Sequence, residues 1–257
     1  MRPATKTRAA APRIAVAIPA GGIGTRFGSR IPKQFLTIQR VPVVTKTVSW
    51  FTRCPGVAAI VVAAPEAHVG RTRRALAALA RRVPLAVVPG GPTRQDSVWL
   101  ALQAVPDDVE IVVVHDAVRP LITPDLIASV VRAAAEHGAA ICALPIAETV
   151  KRVRDDVDVR AAGRRGAGAP PAEARLWFVE ATLDRSGLWA VQTPQAFRTA
   201  LLREAHEKAR RDGVVGTDDA MLVERLGHAV RVVRGLAENV KITTPEDLRR
   251  ARGARGR

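Results

Sequence analysis

Short β-branched and alanine-rich runs recur along the chain at intervals that leave room for a helix between them. Ile14-Ala-Val-Ala-Ile18 is an apolar run ending at Pro19 and a glycine cluster, the signature of a buried strand. Val57 to Ala63, Leu85 to Val88, Glu110 to His115 and Ala139 to Leu144 repeat the pattern. Between them the spacing predicts helices over 43–52, Glu66 to Arg82 (Leu76 and Leu79 on one side, arginines on the other) and Pro92 to Ala104. Another begins near Thr123-Pro124, where Thr caps and Pro suits the first turn. Such alternation predicts an α/β fold with a mostly parallel sheet and helices on both faces. It fails over 146–190, where neither period holds, and Ala161 to Ala174 is a low-complexity stretch read as a loop. Helices over 198–211 and 218–227, a strand at Ala229–Val233 and a helix from Pro245 complete the series.

Composition narrows the classes. With 257 residues, 47% apolar and 25% charged, the chain can bury a full core. No run nears the ~20 apolar residues of a membrane span, and the start lacks a signal-peptide layout, so the expected location is cytoplasmic. Cys54 and Cys142 are too few for a disulfide framework or a cysteine-rich zinc site. The net charge of +16 is concentrated in three segments. Residues 1–13 hold four basic residues and 249–257 hold five, both without an acid, while 151–175 holds seven against four acids. These read as two tails (1–13 disordered, 249–257 C-terminal) around a domain at 14–248, not as a basic binding face. Aromatic residues for stacking bases are scarce too, so specific nucleic-acid binding is the weaker alternative. Only six of the 40 basic residues are lysines, which draws attention to Lys33 and Lys241.

In a doubly wound sheet ligands sit at the carboxyl ends of the strands. Three polar clusters fall there: Gly21–Lys33, Gly90–Ser97 and His115–Arg119. Pro19-Ala-Gly-Gly-Ile-Gly-Thr-Arg-Phe-Gly28 exposes backbone N–H groups able to cradle phosphate. Phe27 breaks the dinucleotide fingerprint, and Lys33 follows Pro32 instead of a Walker glycine. What remains is a glycine loop with two cations downstream, Arg26 and Lys33, suited to a polyphosphate; an ordinary strand–turn–helix loop is the alternative. Asp116 could bind a hydroxyl or a metal and Arg119 a phosphate, or the two could form a surface ion pair. Lys241, in an apolar and β-branched stretch, wants an anion.

The ordered set A-G-G-x-G-T-R…P-K-Q-F, G-G-x-x-R-x-x-S-V, H-D-A-V-R-P, T-V-K, D-R-x-G-L-W…Q-T-P-Q-A-F, T-D-D-A and N-V-K-I-T-T-P-E-D-L resembles the 2-C-methyl-D-erythritol 4-phosphate cytidylyltransferases, from about residue 14 to 248. The resemblance implies a Rossmann-like, nucleotide-diphospho-sugar transferase-like fold with a protruding β-arm over 147–190. It implies CMP transfer from CTP to methylerythritol phosphate in non-mevalonate isoprenoid synthesis. Ala20, Gly21, Gly22, Gly91, Ser97 and Ala117 would hold CTP, largely by backbone groups. Arg26 and Lys33 would stabilise charge on the triphosphate. Asp116, Arg119, Thr149, Arg185, Thr193 and Lys241 would form the polyol-phosphate site, with Arg185 and Lys241 positioning the attacking phosphate. Mg2+ or another divalent cation would arrive on the CTP phosphates, with no metal site built from protein ligands. The arm would cross into a partner subunit, making a homodimer with shared sites. This chain departs from the family in a longer arm around 161–174 and in Pro92. A cytidylyltransferase for a related polyol phosphate such as ribitol 5-phosphate has similar motifs; Thr149-Val-Lys151 and Asp184-Arg-Ser-Gly-Leu-Trp189 favour methylerythritol phosphate.

Overall fold

A computed structural model describes residues 12–21, 31–155 and 177–253. The described chain divides into two compact units, one running to Leu144 and resuming at Val191, the other covering Pro145–Ala190.

The first unit is built on a seven-stranded sheet. Strands β1 (Ile14–Pro19), β4 (Val57–Ala64), β5 (Leu85–Pro89) and β6 (Ile111–Val114) are parallel neighbours in the order β6-β1-β4-β5. Next to β6 lies β10 (Trp189–Arg198), which pairs with it antiparallel, and then β7 (Ala139–Pro145) and the edge strand β11 (Arg231–Arg234), parallel to each other. A two-stranded hairpin, β2 (Thr37–Ile38) and β3 (Val41–Pro42), precedes the first helix.

Strand periodicity divides the core into two layers. On β1, Ile14, Val16 and Ile18 point to one face and Ala15 and Ala17 to the other. The first face is covered by α1 (Val43–Phe51), α2 (Val69–Leu76) and α4 (Pro124–His137), through Val44, Val48, Phe51, Leu76, Leu126 and Val130. The second is covered by α3 (Arg94–Gln103), α5 (Thr199–Arg211) and α6 (Asp219–Glu224), through Val98, Leu102, Leu202 and Leu222. Near-continuous apolar strands therefore follow from burial on both faces, as expected of a wrapped sheet. A third, smaller cluster joins Ile38, Val43, Val118, Ile242 and Leu248, and so ties α7 (Pro245–Gly253) to the hairpin β2–β3.

The second unit contains an antiparallel pair, β8 (Lys151–Asp155) and β9 (Trp177–Thr182), with Lys151 opposite Thr182. The low-complexity stretch 161–174 lies outside the described residues.

Three expectations change, and one strand was not expected. The helix expected over Glu66 to Arg82 is a 3-10 turn at Glu66–His68 followed by α2, which stops at Leu76. Beyond it Leu79 and Arg82 donate to carbonyls three residues back, tightening the chain before it reverses into β5. The pattern over 189–198 hides a ten-residue strand, because polar Gln192, Thr193 and Gln195 are buried there by hydrogen bonding rather than by apolarity. The C-terminal tail does not begin at 249: α7 continues to Gly253, with Ala251 buried and Glu246 paired to Arg249 and Arg250. Arg13, counted with the N-terminal tail, is bound through its N–H to Glu110 and through its guanidinium to Asp108 at 2.9 Å.

Because Phe197 is fully buried on β10 against the α5–α6 layer, Phe197→Ala should lower the unfolding free energy by about 3–5 kcal/mol in urea titrations. A loss under about 1 kcal/mol would mean that this layer does not depend on the ring.

Candidate functional site

At the carboxyl ends of β1, β5 and β6 a cleft of about 330 Å³ opens in the first unit. Its walls are the three polar clusters read from the sequence, joined by Lys241.

The first wall is the end of β1. Ala20 donates its N–H to Ala63 at 2.7 Å, and its carbonyl accepts from the Gln34 side chain at 3.1 Å. Gln34 is buried, and Phe35 next to it enters the core with the Arg71 guanidinium 4.2 Å over its ring. Lys33 opens the 3-10 turn that these two residues anchor, so its position on the cleft wall is set by its neighbours' burial. Gly22 and Arg26 lie outside the described residues.

The second wall is the turn from β5 into α3. Thr93 caps the helix and Asp96 returns the bond to the Thr93 N–H, a reciprocal capping box. Ser97 accepts from the Gly91 N–H at 3.2 Å and donates back to the Thr93 carbonyl at 3.0 Å. A Cβ at Gly91 would stand 2.3 Å from the Asp96 Cβ, so only glycine allows the turn to lie this close on the helix. Ser97 thus reaches the cleft, yet its hydroxyl is engaged in shaping the loop.

The third wall follows β6. Asp116, 6% exposed, is met by three cations. Arg94 Nε donates to Oδ1 at 3.2 Å, while Arg119 Nε and Lys241 Nζ reach Oδ2 at 3.3 and 3.0 Å. Burial alone would raise this carboxyl's pKa; Arg94, Lys241 and Arg119 overcome it and hold the group well below the usual carboxylate range. Lys241 arrives there because the Ile242 N–H donates to the Val118 carbonyl at 2.9 Å. Asn239, fully buried, clamps the same segment to the Thr193 carbonyl at 2.8 Å, and its own carbonyl accepts from Arg119 at 2.8 Å. Ala117 is buried, its carbonyl accepting from Thr47 at 2.9 Å.

Thr193 Oγ1 accepts from the Asp116 N–H at 3.0 Å and lies 3.0 Å from His115 Nδ1; His115 Nε2 lies 3.1 Å from the Arg119 carbonyl. The network assigns Nε2–H donating to that carbonyl and Nδ1 accepting from Thr193. Burial lowers the His115 pKa to about 4, so the ring is neutral at pH 7.

The fold therefore brings Ala20, Gly21, Lys33, Gly91, Ser97, Asp116, Ala117 and Lys241 to one cleft, with Arg119 and Thr193 bonded directly to Asp116. Thr149 and Arg185 belong to the other unit, where both are exposed and the Arg185 guanidinium donates to the Ala147 carbonyl. Sequence reasoning missed a role for Arg94, which lines the cleft and joins Asp116 to buried Asp219 at 2.7 Å. The R-x-x-S-V and T-D-D-A motifs contained both residues, but nothing in their spacing announces a pairing across 125 positions.

The sequence matches the family model described as 2-C-methyl-D-erythritol 4-phosphate cytidylyltransferase over residues 14–167 and 171–254. This chain belongs to that family. A relative of that name from Symbiobacterium thermophilum is 45% identical over 240 residues, 93% of this chain and 91% of its own. Another from Pelotomaculum thermopropionicum is 43% identical over 92% of this chain and 91% of its own. Among solved structures, the cytidylyltransferase of Thermus thermophilus is 33% identical with a TM-score of 0.68, covering 94% of this chain and 97% of that one. The 4-diphosphocytidyl-2C-methyl-D-erythritol synthase of Anaerococcus prevotii superposes with a TM-score of 0.76 at 26% identity, covering 94% and 95%. The family's α/β fold is the one observed.

His115 sets a pH dependence of stability. The unfolded ring takes a proton near pH 6.5 and the folded ring resists until about 4, so the unfolded state binds more protons in between. Stability should be full above pH 6.5 and fall by about 1.4 kcal/mol per pH unit towards pH 4. Urea titrations at pH 7.5 and 5 should show a drop that His115→Gln reduces by about 2 kcal/mol. An unchanged drop in that variant would assign it to other groups.

Proposed function

We propose that this chain transfers CMP from CTP to 2-C-methyl-D-erythritol 4-phosphate, giving 4-diphosphocytidyl-2-C-methyl-D-erythritol and pyrophosphate. As a member of its family it is a cytidylyltransferase, a nucleotidyltransferase of isoprenoid biosynthesis. The observation that carries the reading is the ionised Asp116 within one cleft shared with Lys33, Lys241 and the Gly21 and Gly91 turns.

An oxygen of the polyol phosphate attacks the α-phosphorus of CTP in line. The new P–O bond forms as the bond to the β-phosphate oxygen breaks, and pyrophosphate leaves. The glycine turns at Gly21 and Gly91 offer backbone groups to the nucleotide, with Ala20, Ser97 and Ala117 completing that wall; Gly22 joins this set on the family's motif alone. Lys33, with Arg26 from the same loop, stabilises the charge on the triphosphate as the transition state forms. Lys241 spends one of its three donors on Asp116, which leaves two for the attacking phosphate. Asp116, an acceptor at neutral pH, suits the polyol hydroxyls, flanked by Arg119 and Thr193.

The divalent cation, Mg2+ in this reading, arrives with the triphosphate and supplies charge neutralisation there. Both Asp116 oxygens are engaged by cations, and among the described residues no three His, Cys, Asp or Glu side chains gather to hold an ion.

Thr149 and Arg185 act from the arm, Arg185 by positioning the attacking phosphate. The arm crosses into a second copy, so that sites are shared across a homodimer. Its exposed apolar side chains support this: Trp177 is 57% and Val179 62% exposed. No helix among the described residues is long and apolar enough to cross a membrane, and the reading places the enzyme in the cytoplasm.

Pyrophosphate release from CTP and Mg2+ should be fast with methylerythritol 4-phosphate and slow with ribitol 5-phosphate. The reverse preference would keep the chemistry and change the substrate; silence with both would defeat the reading. Lys33→Ala should lower turnover roughly 10²–10³-fold in the same assay, the loss of one preorganised charge donor. Near-unchanged turnover would remove Lys33 from the mechanism.

A further inference from the structure

Behind the cleft a chain of charged and polar side chains runs from Asp116 in under the α3, α5 and α6 layer. Arg94 stands between two carboxylates, Nε on Asp116 at 3.2 Å and Nη1 on Asp219 at 2.7 Å. Asp219 is 1% exposed, and its other oxygen lies 2.9 Å from Nε2 of His206. His206 is fully buried on α5, stacked 6.3 Å from the Trp99 ring of α3 at an interplanar angle of 18°. Each link comes from a different element: α3 supplies Arg94, α6 Asp219 and α5 His206.

We infer that Asp219, oriented by His206, is a positioning residue for the polyol-phosphate half of the site, acting through Arg94 on Asp116; this rests on the function proposed above. A carboxylate and an imidazole sealed under a helix layer are costly to bury, and their cost is offset here by one pairing, with an arginine that reaches the cleft wall. Arg94 is a long side chain, 28% exposed, with many rotamers open to it. Asp219 removes that freedom by taking the stronger, shorter contact, and so presents Nε to Asp116 at one angle. The Asp116 carboxylate is thereby turned with Oδ1 to Arg94 and Oδ2 to Arg119 and Lys241. Without Asp219 the guanidinium is a half-compensated cation free to swing about the cleft, and both the plane of Asp116 and the place of Lys241 are released with it. The nucleotide side does not share this dependence, because the Gly91 turn is held by its own capping box and by Ser97.

The test uses the full-length enzyme and whichever polyol phosphate it turns over. Asp219→Asn keeps the size of the side chain and removes its charge; the KM for the polyol phosphate should rise about tenfold or more, as for a lost charge-assisted bond, while the KM for CTP stays within about twofold. His206→Ala should move the same constant in the same direction. His206→Gln, which can return an N–H to Asp219, should restore it to within about threefold of the unsubstituted enzyme. A substitution that only loosens the fold would lower kcat through the active fraction and leave both KM values alone, and that result would overturn the inference. So would a parallel rise in both KM values, or an Asp219→Asn enzyme indistinguishable from the parent. Absence of turnover in the unsubstituted enzyme would show instead that the functional reading has failed, and the inference with it.

Discussion

The carboxylate of Asp116 is buried at the end of a central strand, where an unpaired charge would be prohibitively costly, and the cations of three separate segments converge to keep it there. Arg94 comes from the start of α3, Arg119 from the loop after β6 and Lys241 from the segment before α7. Each is delivered by its own structural device: a capping box, a turn closed on Asp116 itself, and the clamp that Asn239 makes on β10. Ionisation of the acid and placement of the bases are therefore one problem with one solution.

The same geometry relates stability to chemistry. Arg94, Arg119 and Lys241 around Asp116 still leave an excess of positive charge at the cleft after Asp219 has taken its share of Arg94, which suits phosphate-bearing substrates whose charge grows as bonds rearrange. A neutral histidine beneath them adds no further repulsion. It supplies orientation instead, joining Thr193 to the loop carbonyl of Arg119. Gln192 and Thr193 on β10, which would be liabilities in an apolar sheet, are bonded to the segments that carry Arg119 and Lys241, so the strand serves as both core and scaffold.

Much of this was legible in one dimension. The apolar runs located β1, β4, β6 and β7 because strands buried on both faces leave little choice of residue, and they located the edge strand β5 by its β-branched run alone. Glycine followed by a helix cap located the Gly91 turn, since few other residues could form it. The strand β10 escaped because its burial rests on hydrogen bonds, which leave no periodic trace. The arm holding β8 and β9 was legible only through the family's motifs and not through periodicity, because the side chains of Arg152, Val153, Arg154 and of Trp177 to Val179 are all exposed and leave no alternation.

By itself the sequence determined the layer order, the three loops that meet at the strand ends and, through its ordered motifs, the family; local chain geometry and composition suffice for these. Only the tertiary structure decided which charges face one another. Arg94 and Asp219 are ordinary helix-start residues until α3 and α6 pack on the same face of the sheet, and Lys241 is a lone cation until the Val118 carbonyl draws its segment beside Asp116. Pairing across such distances is set by packing, because a buried charge finds its partner in space and not along the chain.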